Sequence, residues 1–490
     1  MTRAWPARLA IPLALFAMVV GASGAGASSP VTRWAAHDVR VNDPSVTYGG
    51  PPMGLREPVL AIDPTNPRRM LVAAIDQNYS NTNAYGSWAG AVHLYRSSDG
   101  GSRWTDGGLF LGPNDGGTWT SGDPSLAFDR RGRAWLVMLA DDTARTPGRL
   151  GSFYSKRGGV YVYRSDDGGR RWRGPFQAVT RVVNRADRVC AGPDKELVAV
   201  GRPGEVFIAY TMFHNDCPRN QIEAYRSLLV SGQDDIDILL VRSTDGGRTW
   251  SPPTRIWHAY AVGAQPAVGP DGTIFVAFTT TAPLGSTSVC PLWEGAVIER
   301  AARELEVVVA SSNDDGHTWR YERRASCDLS LYTSEGTTGL GARIVSISVD
   351  PSDGRAYVLW SSFLSNPSFG VHAMSSGDGG RTWSPTVSVT PFQLADSFLP
   401  SVAASAGVAR AMWLTTADLG RTFDVLTASS TDGGSTWSAP TSLSTAPSSG
   451  DGELGDYIWI DVVRRTVAAA WTDFRSGPAT NIFVRTGSTG

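Results

Sequence analysis

The chain has 490 residues, with 44 Lys and Arg against 46 Asp and Glu, a formal charge of −2. It has no basic run, so nothing in it carries the electrostatic footprint of a nucleic-acid or anionic-membrane partner. Its 54 glycines and 17 tryptophans, beside almost no long helical pattern, predict many short strands joined by tight turns.

The N-terminus reads MTRAWPARLAIPLALFAMVVGASGAGASSP. Arg3 and Arg8 precede an apolar stretch from Leu9 to Val20, and Ala25-Gly26-Ala27 offers small residues for cleavage. This is the pattern of a secretory signal peptide over residues 1–27, its apolar run being too short to span a bilayer. The expectation is a secreted, soluble monomer, cleaved near Ala27, with no transmembrane segment.

In chain order, apolar strand-like runs alternate with two kinds of turn. The first is a hairpin with near-continuous apolar flanks. It appears as EPVLAIDP (57–64) into MLVAA, DPSLAFDRRG (123–132) into AWLVML, KELVAVGRPG (195–204) into VFIAY, and QPAVGPDG (265–272) into TIFVAF. It continues as IVSISVDPSDG (344–354) into AYVLW, LPSVAASAG (399–407) into ARAMWL, and YIWIDV (457–462) before TVAAAW. Such runs suit strands buried on both faces. The second kind is S-x-D-x-G-x-x-W, at Ser97–Trp104, Ser165–Trp172, Ser243–Trp250, Ser312–Trp319, Ser376–Trp383 and Ser430–Trp437. Successive box tryptophans are 54 to 78 residues apart, the spacing of propeller blades rather than of a helical solenoid. NDGGTW (114–119) is excluded, because Trp119 stands one residue too close to Asp115.

Six aspartates in one motif could be a chemical array or repeated joinery, and the physics of the box favours joinery. Its glycines tolerate positive φ at a hairpin tip. Asp99, Asp167, Asp245, Asp314, Asp378 and Asp432 can each accept hydrogen bonds from the turn's own N–H groups. Trp104, Trp172, Trp250, Trp319, Trp383 and Trp437 are then apolar plugs between neighbouring sheets. Seven hairpins and six boxes predict an all-β fold, a single β-propeller of seven four-stranded blades, with six as the alternative count. The last hairpin is followed by NIFVR (481–485), and an open sheet edge there must be covered. VTRWAAHDVRVN (31–42), within an N-terminal segment 28–50, is the natural strand to close the last blade, leaving 51–490 as one propeller domain.

Four cysteines fit an oxidising compartment. Three pairings are possible, and Cys190 with Cys217 and Cys290 with Cys327 is expected, since each pair brackets one repeat's loops. No CxxC occurs and six histidines are scattered, so no metal and no cofactor is expected. Asp234, Asp235 and Asp237, or Asp451, Glu453 and Asp456, could hold a structural calcium. They lack EF-hand spacing and read more simply as solvated acidic loops. The long insertions 139–159, 211–235 and 279–306 should rise around one mouth of the channel, and 291–306 could hold a short helix.

The boxes match the Asp-box (BNR) repeat, and over the whole mature chain the sequence resembles the sialidase superfamily of propellers. That resemblance implies an exo-α-sialidase-type glycoside hydrolase, with an arginine triad for the substrate carboxylate, an acid, and a tyrosine nucleophile polarised by a glutamate. Arg56 in LREP, Glu196 in DKELVAV and Tyr457 in LGDYIWI match the first arginine, the glutamate and the tyrosine. The stretch expected to hold the acid, DQNYSNTNAYGSWAG (76–90), offers only Asp76, with Asn81 and Asn83 beyond it; Asp123 is the other candidate acid. Thr211-Met212-Phe213-His214 and WSSFLSNPSFG (360–370) carry no arginine where a second and third would fall.

Inner strands of a propeller begin at one mouth of its channel. The residues opening them are Arg56 with Glu57, Asp123, Lys195 with Glu196, Gln265, Arg343, Leu399, and Asp456 with Tyr457. Of these, Glu57, Asp123, Lys195, Gln265, Arg343 and Asp456 are the candidate substrate-binding set. A ring of mixed charge with an aromatic suits a polar, sugar-sized ligand, a glycan or glycoprotein. Alternatively these groups pair across the channel and merely seal it; the competing functions are a non-catalytic propeller binding carbohydrate or protein at this mouth, and a purely structural surface protein, which predicts a channel plugged by bulky residues.

Overall fold

The computed structural model describes residues 32–489 except 47–51, 80–89, 143–156, 185–188, 217–235, 260, 282–302, 329–343, 363–368, 391–394, 418–420, 451–453 and 478. Seven sheets of four or five strands follow one another along the chain, each a meander outward from its inner strand, which in the third sheet is preceded by the short strand Val182–Asn184. Blade 1 is Leu55–Ile62, Met70–Asp76, Ala91–Ser97 and Thr105–Phe110. The inner strands of blades 2 to 6 are Trp119–Phe128, Val189–Val200, Ala261–Val268, Ser346–Val349 and Asp396–Ser405. Blade 7 runs Trp459–Val463, Thr466–Asp473 and Asn481–Thr489, and its outer strand, Thr32–Trp34, comes from the other end of the chain, with Thr32 opposite Thr489. One 3-10 turn, Gln77–Tyr79, is the only helix among the described residues, and no described helix is long and apolar enough to cross a membrane. Arg303–Glu306, inside the stretch expected to hold a short helix, belongs instead to the strand Arg303–Ser312, whose run of valines favours extended backbone.

The apolar runs are continuous because both faces of each inner strand meet a neighbouring blade; Leu55–Ile62 is buried at every position. The core is accordingly divided into seams between adjacent blades. Trp104 packs in the seam of blades 7 and 1, Trp172 in that of 1 and 2, and Trp250, Trp319, Trp383 and Trp437 in the next four. The seam of blades 6 and 7 has no box, and there Trp34 of the N-terminal strand packs against the core.

All six boxes are built alike. The Ser hydroxyl donates to the Asp at 2.7–2.9 Å and accepts from the second central residue's N–H at 2.8–3.0 Å. The same Asp oxygen accepts the N–H before the Trp at 2.9–3.0 Å. In the fourth box Asp315 replaces the first glycine and takes its positive φ, 62°. The six aspartates are thus held by their own turns, one in each of blades 1 to 6. Inner strands are joined across seams by side chains that accept backbone N–H bonds. Ser125 accepts from Val198 at 3.0 Å, Ser401 from Ile460 at 3.1 Å, and Asp461 from Ile62 at 2.8 Å, the last closing the ring.

Candidate functional site

At the mouth where the inner strands begin, their pairing with the second strand slips by bulges. The slips fall between Arg56 and Val59, Gly122 and Ser125, Asp194 and Leu197, Val262 and Gln265, and Phe398 and Ser401. At each slip one residue takes a positive φ: Glu57 (56°), Asp123 (47°), Lys195 (51°), Gly263 (75°) and Leu399 (51°). A bulge re-aims a side chain. For the four non-glycine residues the conformation costs on the order of 1 kcal/mol or more each, sustained only where the surroundings fix it. In blade 7 Gly455 (φ 85°) lies so close to Glu57 that a Cβ would fall 2.3 Å from the Glu57 Cγ.

The bulges of blades 1 to 3 bring Glu57, Asp123 and Lys195 together with Asp456 of blade 7. The Lys195 Nζ stands 2.7 Å from Asp456 Oδ2, 3.2 Å from Asp123 Oδ1 and 3.7 Å from Glu57 Oε2. The same ammonium lies 6.0 Å from the centre of the Tyr457 ring. Asp194 accepts the Lys195 N–H at 3.0 Å and shares a side-chain hydrogen bond with Asp123. Lys195, Asp123 and Asp456 keep 10–15 % of their side-chain surface exposed, so the cluster opens to solvent through them.

One ammonium faces a surplus of carboxyls, and their proton affinities separate. Burial pushes Glu57 up to about 8, opposed by Lys195 and reinforced by Asp123 and Asp456. Burial likewise takes Asp194 to about 7. At Asp123 burial raises the pKa, but the Lys195 charge and hydrogen bonds from Glu57, Asp194 and Lys195 outweigh it and leave the group below the ordinary carboxylate range. Burial would lower Lys195, but the surrounding carboxylates dominate and raise it. Glu196 is fully buried, finds no hydrogen-bond partner on another residue, and is pushed well up by burial and by Asp123. Burial and the charges of Glu57 and Asp123 hold the Tyr457 phenol far from ionising.

Of the residues singled out in the sequence, the structure brings Glu57, Asp123, Lys195, Glu196, Asp456 and Tyr457 to one mouth. Arg56 is buried beside Glu57, whose charged form it favours. The Tyr457 hydroxyl donates to the Pro124 carbonyl at 3.4 Å, not to Glu196. Asp76 is engaged elsewhere in blade 1, accepting from Asn78 and lying 2.9 Å from the His93 ring. Gln265 is spent on the seam of blades 4 and 5, bonded to both backbone groups of Ile347. The bulge of its blade falls at Gly263, two residues earlier, so the mouth position there carries no side chain. Leu399 is buried in the seam of blades 6 and 7. Arg343 lies outside the described residues, as do Cys217, Cys290 and the side chains of Cys190 and Cys327; the backbone sets Cys190 opposite Asn215 and Cys327 opposite Glu304. Of the acids weighed as calcium ligands, Asp237 lies between His214 and His258, at 3.0 and 2.8 Å, and Asp456 holds Lys195; Asp234, Asp235, Asp451 and Glu453 lie outside the described residues. Among the described residues no group of three or more His, Cys, Asp or Glu is arranged to hold a metal ion. Asp194 is the member of the cluster that the sequence did not single out, although it stands next to Lys195.

A family model described as a BNR repeat-like domain matches residues 224–449. Seven four-stranded blades and six Asp boxes make the fold a β-propeller, and the BNR repeat-like match falls on residues 224–449 of it. Similar solved structures include a Hadza microbial sialidase, 17% identical over 81% of this chain and 73% of its own, with a TM-score of 0.44. A protein of unknown function from Dyadobacter fermentans is 15% identical over 94% and 99%, with a TM-score of 0.49. An α-L-arabinofuranosidase of Fusarium graminearum is 12% identical over 77% and 92%, with a TM-score of 0.47. No curated protein matches the chain in sequence.

Proposed function

We propose that the protein is an exported glycan-acting propeller and that its working site is the mouth around Lys195. Export rests on the signal-peptide pattern of residues 1–27. The reaction this mouth supports best is glycoside hydrolysis, with Glu57 as proton donor and Asp123 as the ionised partner. One observation carries the reading: the two carboxyls reach the same ammonium from adjacent blades, yet burial takes Glu57 to about 8 while Lys195 outweighs burial at Asp123. Two neighbouring carboxyls with separated proton affinities are what acid and base roles at neutral pH require. A sialidase mechanism fits less well, because it needs several cations facing a carboxylate and an activatable tyrosine, and here carboxyls outnumber cations.

A second reading, a binding module without catalysis, is favoured by Lys195 itself, whose ammonium ties three acids together across the mouth. A panel of neutral and acidic aryl glycosides, the sialoside included, tests both. Release from a neutral glycoside that falls at least a hundredfold in Asp123→Asn and in Glu57→Gln supports hydrolysis. Release confined to the sialoside and lost in Tyr457→Phe and Glu196→Gln restores the sialidase assignment. Saturable glycan binding with no release leaves the binding module.

A further inference from the structure

We infer that the mouth around Lys195 recognises a cationic sugar, a glycan unit bearing a free primary amine, and that Glu57 and Glu196 receive its ammonium. This rests on the mouth being the ligand site, and goes beyond it by naming the substrate class.

The first observation is the charge inventory of the cluster. Glu57, Asp123, Asp194, Glu196 and Asp456 outnumber the two cations beside them, Arg56 next to Glu57 and Lys195, which already spends its ammonium on Asp456, Asp123 and the more distant Glu57. An anionic sugar entering here would meet like charge in a site of low dielectric, where the repulsion is greatest. The second is independent of the count. Glu57 Oε2 and both oxygens of Glu196 are buried without a hydrogen-bond donor from another residue, although both side chains are at least nine-tenths buried. An orphaned acceptor costs about 1–3 kcal/mol, more when charged, and is rare unless something supplies the donor. A primary ammonium brings three N–H donors and no acceptor, together with the charge the cluster lacks. A neutral hydroxyl brings one donor and no charge, and an N-acetyl group brings a single N–H and no charge.

The geometry also says where such a unit enters. Lys195, Asp123 and Asp456 keep the exposed edge of the cluster, whereas blade 4 offers only Gly263 at the bulge position. At Gly263 a Cβ would stand 3.2 Å from Ile344 Cγ1, so the approach to the acids of blades 1 to 3 is from the side of Lys195, Asp123 and Asp456.

Calorimetric titration of the full chain at pH 7 with four matched trisaccharides tests this: β-1,4-linked glucosamine, its N-acetylated form, cellotriose and trigalacturonate. The expected result is glucosamine-trimer binding at least tenfold tighter than either neutral trimer and none of the anionic one. Glu57→Gln and Glu196→Gln should each lower affinity at least tenfold. Equal affinity for cellotriose, preference for trigalacturonate, or glucosamine-trimer binding unmoved by both variants overturns the inference. Neutral-trimer binding that Asp123→Asn abolishes would sink the cation alone and leave the mouth as the glycan site. Absence of binding by all four sinks both.

Discussion

Lys195 of blade 3 meets Asp456 of blade 7 at 2.7 Å, although two blades separate them on one side of the ring and three on the other. The contact spans the axis, and with Asp123 and Glu57 it gathers four blades onto one ammonium. Such a group is expensive to bury and still more expensive to leave half made, because removing one partner strands the others.

Replacing Lys195 by methionine should therefore destabilise the protein by about 3 kcal/mol at pH 7.5, read from the urea midpoint at unchanged m-value. The loss should shrink at pH 5, where the stranded carboxyls accept protons. A second change, Asp456→Asn, should recover part of it, since the removed charge no longer needs a partner. A Lys195→Met protein as stable as the parent at pH 7.5 would show that the cluster is not a cooperative unit.

The pH dependence has a definite sign. Glu57 at about 8 and Asp194 at about 7 lie above their unfolded values, so between roughly pH 4 and 8 the folded state holds protons that the unfolded chain has released. Their contribution to stability is complete below the unfolded values and declines as pH rises, levelling once Glu57 has ionised. The box aspartates work in the opposite direction: Asp245, lowered to about 2 because backbone and Thr249 hydrogen bonds outweigh burial, adds stability that is lost as pH falls towards that value. Calorimetric melting from pH 5 to 8.5 should show a falling Tm in the wild type and a flatter profile in Glu57→Gln. A wild-type Tm that rises across this range contradicts the assignment.

The box glycines separate two effects. Gly100 (φ 82°) has open space where a Cβ would stand, whereas at Gly169 (φ 87°) a Cβ would fall 2.5 Å from Leu71 Cδ2 of blade 1. Gly100→Ala should cost about 1 kcal/mol for the backbone alone. Gly169→Ala should cost more, because the hairpin must draw away from the neighbouring blade. Equal losses for the two in parallel urea titrations would mean that the box does not seat against the adjacent sheet.

Much of the scaffold was legible because it rests on local chemistry. Ser97, Asp99, Gly101 and Trp104 bond within their own turn or plug the adjoining seam, so eight residues carry the whole reason for the motif. The mouth was legible in part. Glu57, Asp123 and Lys195 follow from counting where inner strands begin, but their convergence depends on bulges at positive φ in residues that disfavour it, and no composition rule places an Asp or a Lys there. The same irregularity misplaced Gln265 by two residues. The bridging of Asp76 and Asp106 by His93 left no trace at all, since the three residues come from three strands at ordinary strand spacing.

The seam of blades 6 and 7 provides the last test. Every other seam receives a box tryptophan, and this one receives Trp34 from a strand of three residues at the opposite end of the chain. Asp38 reinforces the same closure, accepting from Arg475 at 2.6 Å and from the N–H of Thr445 at 2.8 Å. Ring closure is thus a long-range contact that forms only when both termini are in place, and its apolar plug is half-buried rather than enclosed. Trp34→Ala should cost about 2 kcal/mol, from the buried part of a large aromatic surface. Asp38→Ala should add a loss of its own, because it strands Arg475 beside Asp473 with one carboxylate fewer. Hydrogen exchange locates the effect: amides of Asn481–Thr489 should lose protection first in either variant, while those of blade 3 keep theirs. Uniform loss around the ring would show that closure is shared by all seams and that Trp34 has no special place in it.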